Sequence, residues 1–258
     1  MIDNKTVDSM EDILGPDFEG LKTFALVAEE RLFANLWKKE KEVVDVIAAS
    51  AGRSTHLFWI AGGFVRDALT RSATNKNSPG DIDIFTSAPD FYRRDEKDLE
   101  EVPLINSLLK FDYKIAYKNE NMITLKKKGY LKIQIVLRQP MVFVPIPHDS
   151  LLNITNCLNE FHFTHSMMAY EPKAKTVIVL AEGLIDAMQK RIVVNHINKL
   201  WAVDSVAKLG KYLNRGYTLC AKESANLIRK LQGMGEEEIK QQEQFYWDGS
   251  LRQSSRFD

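Results

Sequence analysis

Apolar residues recur at helical spacing through residues 18–50: Leu21, Phe24, Ala25 and Ala28, then Leu32, Phe33 and Leu36, then Val43, Val44, Val46 and Ile47. A period near 3.6 predicts two helices ahead of the first strand. The run 56–61 is short, apolar and closed by Gly62-Gly63, as expected of a buried strand entering a tight turn, and residues 64–69 open a helix. Residues 72–80 are rich in Ser, Asn, Thr, Pro and Gly and read as a loop that delivers the strand 81–86 to the surface. A helix is expected over 99–110, then a meander of three strands, 113–118, 122–127 and 131–138, separated by turns at Asn119-Glu120-Asn121 and Gly129. Past the proline-containing segment 139–148, read as a linker or strand-edge loop, 151–158 and 161–169 look helical and 176–180 is a β-branched strand. From Gln189 onward the pattern is mostly helical, and residues 249–256 carry little to bury.

These elements predict an α/β (α+β) fold, a small mixed β-sheet with flanking helices and a helical C-terminal portion. With 258 residues, 45% of them hydrophobic, the chain can bury a core as one large domain or two modest ones. No apolar run approaches the roughly 18 residues that cross a bilayer, and the first residues lack a signal-peptide pattern, so the expectation is a soluble, cytoplasmic protein without a membrane partner. Cys157 and Cys220 stand far apart at no metal-binding spacing. Basic and acidic residues number 35 each, which argues against a whole-surface nucleic-acid binder and leaves room for a local basic groove.

Candidate chemistry sits at Asp81-Ile82-Asp83-Ile84. The strand period of two puts both aspartates on one face and both isoleucines on the other. Side-by-side carboxylates raise each other's pKa unless a cation neutralises them, and hard oxygen ligands suit Mg²⁺ bridging phosphate oxygens. The bland reading, a solvated edge strand with two surface acids, is weakened by Gly62-Gly63, where glycines between a strand and a helix let backbone N–H groups approach an anion. Arg66, one turn into that helix, is placed to reach a phosphate; Asp67 is expected to cap the helix or to pair with Arg71 or a neighbouring lysine.

Ile60-Ala61-Gly62-Gly63-Phe64-Val65-Arg66-Asp67-Ala68-Leu69, a polar loop, and then Gly80-Asp81-Ile82-Asp83-Ile84-Phe85 resemble the head-domain signature of bacterial poly(A) polymerases and CCA-adding tRNA nucleotidyltransferases, members of the DNA polymerase β-type superfamily. The resemblance implies transfer of a nucleoside monophosphate from an NTP with pyrophosphate leaving, Gly62 and Gly63 on the triphosphate, and Asp81 and Asp83 on two magnesium ions. The expected acceptor is a hydroxyl, an RNA 3′ end in the first instance. Weaker likenesses follow at Phe163–Tyr170, at Gly183-Leu184-Ile185-Asp186, which is similar to the family's turn, and at Val206–Leu219, which is similar to the helix opening the neck. They divide the chain into an N-terminal helical segment (1–55), a head (56–190) and a helical neck-like region (191–258).

Two departures stand out. The family carries Arg-Arg-Asp where this chain has Glu160-Phe161-His162, and the third carboxylate of the wider superfamily falls at Gln134, an amide that is a poor magnesium ligand and a poor base. The chain also ends soon after the neck-like helix, so an enzyme with another acceptor, of the compact kind a phage or mobile element carries, is expected rather than tRNA CCA repair. Two alternatives stay open: a degenerate, non-catalytic nucleotide-binding module, and a toxin- or defence-type transferase that modifies tRNA or protein.

Lys199, Lys208, Lys211 and Arg215 lie at spacings of one helix face and are expected along the nucleotide cleft, the last three in one stripe. His162 and His165, one turn apart, read as structural or nucleotide-stacking side chains. Lys126-Lys127-Lys128 reads as a solvated hairpin tip, with phosphate contact the other reading. Glu236–Glu238 read as a helix N-terminal charge run. Trp201, Phe245, Tyr246 and Trp247 read as packing anchors or base platforms.

Overall fold

The computed structural model describes residues 23–72, 79–93, 95–137, 150–195, 202–237 and 239–240. Segment 139–148, Lys199, Trp201, the aromatics at 245–247 and the C-terminal residues 249–256 lie outside them.

The elements in order are β1 (Phe24–Ala28), α1 (Glu29–Phe33), α2 (Lys38–Ala51), β2 (Phe58–Ala61), α3 (Gly63–Leu69) and β3 (Asp81–Thr86). Then come α4 (Pro89–Tyr92), α5 (Glu96–Leu99), α6 (Pro103–Lys110), β4 (Lys114–Lys118), β5 (Met122–Lys126), β6 (Lys132–Val136) and α7 (Ser150–Asn159). A 3₁₀ turn at Thr164–Ser166 leads to β7 (Met168–Glu171), β8 (Thr176–Leu180), α8 (Ala181–Met188), β9 (Arg191–Ile192), α9 (Ala202–Leu213), β10 (Thr218–Leu219) and α10 (Ala221–Gln232). Eight strands form one mixed sheet in the order β1-β8-β7-β2-β3-β6-β5-β4, with β3 and β6 parallel and the other neighbours antiparallel.

Strand alternation sorts the core onto two faces. Phe58, Ile60, Ile82 and Ile84 point to the larger core beneath α2, α3 and α6, whereas Trp59 and Ala61 point the other way, to a smaller core closed by Ile154, Cys157 and Leu158 of α7. Asp81 and Asp83 therefore share the second face, the expectation from period two. A third cluster, Phe163, Ile192, Val194, Tyr217 and Leu227, fastens α9 and α10 to the turn before β7.

Three local expectations are corrected. Phe24–Ala28 is a strand, not a helix, pairing Phe24 to Leu180 through Ala28 to Thr176 at the sheet edge, so part of segment 1–55 belongs to the same sheet as the head. Residues 161–169 are a 3₁₀ turn running into β7 rather than a helix, because Ile60 and Ala61 of β2 pair with Tyr170 and Ala169. Gly183–Asp186 is not a turn but lies within α8, where Asp186 accepts from Thr164 Oγ1 (2.7 Å) and pairs with Arg191 (2.7 Å).

Gly183 explains its own residue type, since a Cβ there would fall on the carbonyl oxygen of Thr164. Gly183→Ala is expected to destabilise the protein by about 1–3 kcal/mol, the usual cost of overpacking. A urea titration reads this as a lower midpoint; an unchanged midpoint would mean that α8 and the turn at 164–166 are not in contact.

Candidate nucleotide-transfer site

The candidate site forms where β2 and β3 lie side by side. Ala61 pairs with Asp83, so the turn leaving β2 lies next to the strand bearing the acids. Gly62 has φ +82°, which glycine tolerates and L side chains rarely adopt. Its N–H donates to Met168 O (2.9 Å), and a Cβ would approach the Phe161 ring at 3.2 Å. Gly62, Gly63, Asp81 and Asp83 line one cavity of about 330 Å³. Lys208 and Lys211 of α9, and Arg215 just beyond it, line the same cavity.

The acid pair is electrostatically uncomfortable. Burial first, and then Asp81, push the Asp83 carboxyl up to about 7, against the pull of Lys132, Lys211 and Lys208. Asp81 has a partner in Lys132 at 3.4 Å. Register places Gln134 of β6 directly beside Asp83, where the resemblance expects the third carboxylate; Gln134 is buried and its Nε2 donates to Met122 Sδ (2.8 Å). No group of three or more His, Cys, Asp or Glu suited to a metal occurs among the described residues. A divalent ion here would rest on two carboxylates and complete its shell with phosphate and water oxygens, the habit of magnesium at nucleotide sites.

Arg66 and Asp67 make the floor of the cavity. Arg66 is 1% exposed, donates from Nε to Asp67 Oδ1 (2.7 Å) and lies 5.3 and 5.7 Å from the Tyr212 and Tyr217 ring centres. Burial opposes its charge, yet Asp67 and the tyrosines hold its pKa above the ordinary value. Asp67 also pairs with Arg215 at 3.4 Å, tying α3 to the segment after α9. The expected Asp67–Arg71 pair is not formed: Arg71 instead grips Glu40 with two bonds (2.7 and 3.0 Å) and Asn35 O.

The α-helix expected over 161–169 is absent: His162 precedes the 3₁₀ turn and His165 lies within it. His162 lines the cavity with its Nδ1 3.4 Å from Lys208 Nζ. His165 is fully buried, stacked on Phe163 at 5.4 Å and packed against Tyr212 and Tyr217; burial first, and Arg66 second, lower its pKa well below the usual value, so it is neutral. Sequence reasoning missed Tyr212, whose hydroxyl lies 3.2 Å from Ser166 Oγ, and the Phe85–Phe161 pair at 5.6 Å. Tyr212 falls one residue after Lys211 in the basic stripe, which was the available signal.

A family described as Gabija anti-defense 2 family protein matches residues 31–191. No curated protein matches the chain in sequence. Among solved structures, the Thermotoga maritima CCA-adding enzyme complexed with a CCA tRNA aligns over 84% of this chain and 49% of its own, with TM-score 0.56 and 18% identity. A CCA-adding enzyme with CTP gives TM-score 0.59 at 18% identity over 84% and 50%, and an apo CCA-adding enzyme gives 0.57 at 18% over 90% and 54%. The chain spans about half the length of the solved structures it matches. The shared feature is the nucleotidyltransferase-like fold.

Proposed function

The chain belongs to the Gabija anti-defense 2 family, and from that premise we propose that it is a metal-dependent nucleotidyltransferase working in counter-defence, moving a nucleoside monophosphate from an NTP to a hydroxyl acceptor, in the first instance an RNA 3′ end. The observation that carries the reading is the convergence of Asp81 and Asp83, the Gly62-Gly63 turn and the basic stripe on one cavity. CTP- and ATP-bound CCA-adding enzymes of the same fold support it.

Magnesium fits the donor set, because two adjacent carboxylates of which one is pushed up to about 7 gain most from a cation. Asp81 and Asp83 would hold two such ions, which would supply positive charge to the triphosphate and to the oxygens that gain charge during transfer. The Gly62-Gly63 turn would face the triphosphate, with the Gly62 N–H already given to Met168 O. Lys208, Lys211 and Arg215 bring cationic charge to the same cavity. Arg66 and Asp67 set the position of Arg215, so their share in holding the triphosphate is exerted from beneath it. Phe161 and His162 offer ring faces for a base, a different surface from the Arg-Arg-Asp of the resembling family.

A second reading, a nucleotide-binding module without turnover, is favoured by Gln134 beside Asp83. Release of pyrophosphate separates the two. With each NTP, Mg²⁺ and RNA, the transferase reading expects pyrophosphate that disappears on chelation, whereas NTP binding by calorimetry without pyrophosphate release would establish the binding module.

A further inference from the structure

The face of the sheet that carries Asp81 continues across β6, β5 and β4 as a line of lysines. Asp81 pairs in register with Lys132, and Lys126 with Lys114. Carrying the β5–β6 register one residue beyond Leu125 opposite Ile133 sets Lys126 opposite Lys132. Paired residues of neighbouring strands project to the same face, about 4.8 Å apart per strand, so this line runs for about 14 Å from the acid pair to the sheet edge. Lys114, Lys126 and Lys128 are exposed. The row one step deeper, Gln134 beside Thr124, is buried and uncharged.

An open groove of about 460 Å³ lies along the Lys132–Lys126 part of this line, walled by Gly80, Lys126, Lys127, Lys128, Tyr130 and Lys132, with Lys114 continuing the line beyond it. Gly80 also lines the nucleotide cavity, so the two spaces share a wall next to Asp81 in the chain. Like charges set opposite each other, as Lys114 and Lys126 are, cost stability in the free protein and gain from an anion. Lys127 is held in place, its Nζ 3.5 Å from the Phe111 ring centre and 4.2 Å from that of Tyr130. Among the described residues, Asp81 pairs with Lys132 and Glu42 accepts from the Tyr130 hydroxyl at 2.7 Å.

We infer that this lysine groove binds the phosphate backbone of a single-stranded polynucleotide and delivers its 3′ hydroxyl to Asp81 and Asp83. The inference rests on the transferase reading for its direction and goes beyond it in assigning the acceptor a site. A line of point charges that ends at the transfer site matches a chain whose charges repeat along its length and whose reactive group is its end. The cations of the line are lysines, flexible point charges that can each engage a phosphate without a fixed bidentate geometry. The chain's overall charge of zero makes the concentration local.

The test compares the full-length protein with Lys114→Ala/Lys126→Ala/Lys128→Ala, three exposed positions outside the nucleotide cavity, by anisotropy of a short fluorescein-labelled single-stranded RNA over a range of salt. The parent is expected to bind with affinity that falls steeply with salt, and the triple variant to lose at least tenfold at low salt and about two units of log–log salt slope, at about 0.7 per phosphate contact. ATP binding by calorimetry should be unchanged in the triple variant. Equal affinity and slope in both proteins would overturn the inference, as would poly-glutamate displacing the RNA at equal charge concentration, which would make the groove a site for acidic protein. The Asp81→Ala/Asp83→Ala variant should keep RNA binding. If the parent transfers no nucleotide while the triple variant still loses RNA, the groove stands and the transferase reading falls.

Discussion

Asp67→Ala is expected to lower stability by about 3–5 kcal/mol, the cost of stranding one partner of a buried ion pair. Arg66 is 1% exposed and Asp67 is its carboxylate, at 2.6 Å from Nη2. Removing Asp67 leaves a guanidinium that burial already disfavours, facing neutral His165 and two tyrosines. The same change frees Arg215, so the head loses its ionic link to the segment after α9. Asp67→Asn keeps the shape and an acceptor and should fall between parent and alanine variant. Urea midpoints with Mg²⁺ and NTP absent measure the effect; a loss below about 0.5 kcal/mol, the scale of an ordinary surface substitution, would show that Arg66 finds water once Asp67 is gone.

Asp83→Asn should move stability and activity in opposite directions. The folded carboxyl is raised to about 7 from the ordinary value of 3.8, so between those values the folded chain binds more protons than the unfolded one. The contribution of Asp83 to stability is therefore largest at acid pH and is lost as pH rises toward and through 7, by on the order of 1–3 kcal/mol once partial exposure is allowed for. In EDTA the asparagine variant should lack this slope and melt higher than the parent at pH 8. Mg²⁺ should raise the parent's midpoint and leave the variant's little changed. Transfer should meanwhile fall by roughly a hundredfold to a thousandfold, the scale of losing several kcal/mol of transition-state charge stabilisation. A parent-minus-variant stability difference that is flat from pH 4 to 8 would show that the Asp83 carboxyl is not raised.

Such opposition is what a site held under electrostatic strain produces, and it explains which features were legible in the sequence. Asp81 and Asp83 were legible because the period of two is local, and so was the stripe Lys208, Lys211, Arg215 on one helix face. Phe24–Ala28 misled because five apolar residues fit either period, and its decision lies with Leu180 to Thr176, far along the chain. Residues 161–169 misled for the same reason, their partner being β2. The Asp67–Arg215 pair was illegible because Arg215 arrives from 148 positions away, while the nearer Arg71 is drawn off by Glu40. The lysine groove was half legible: Lys126-Lys127-Lys128 marked a hairpin tip, but only the register shows that Lys132 and Lys114 continue its line from Asp81.

The most direct measurement is incubation of the protein with each α-labelled NTP, Mg²⁺ and total RNA, beside the Asp81→Ala/Asp83→Ala variant. Label that passes to RNA with the parent and not with the variant, from one NTP more than the others, is the predicted result and names the nucleotide. Equal labelling by both proteins, or none by either while NTP binds, would contradict a transfer site built on Asp81 and Asp83.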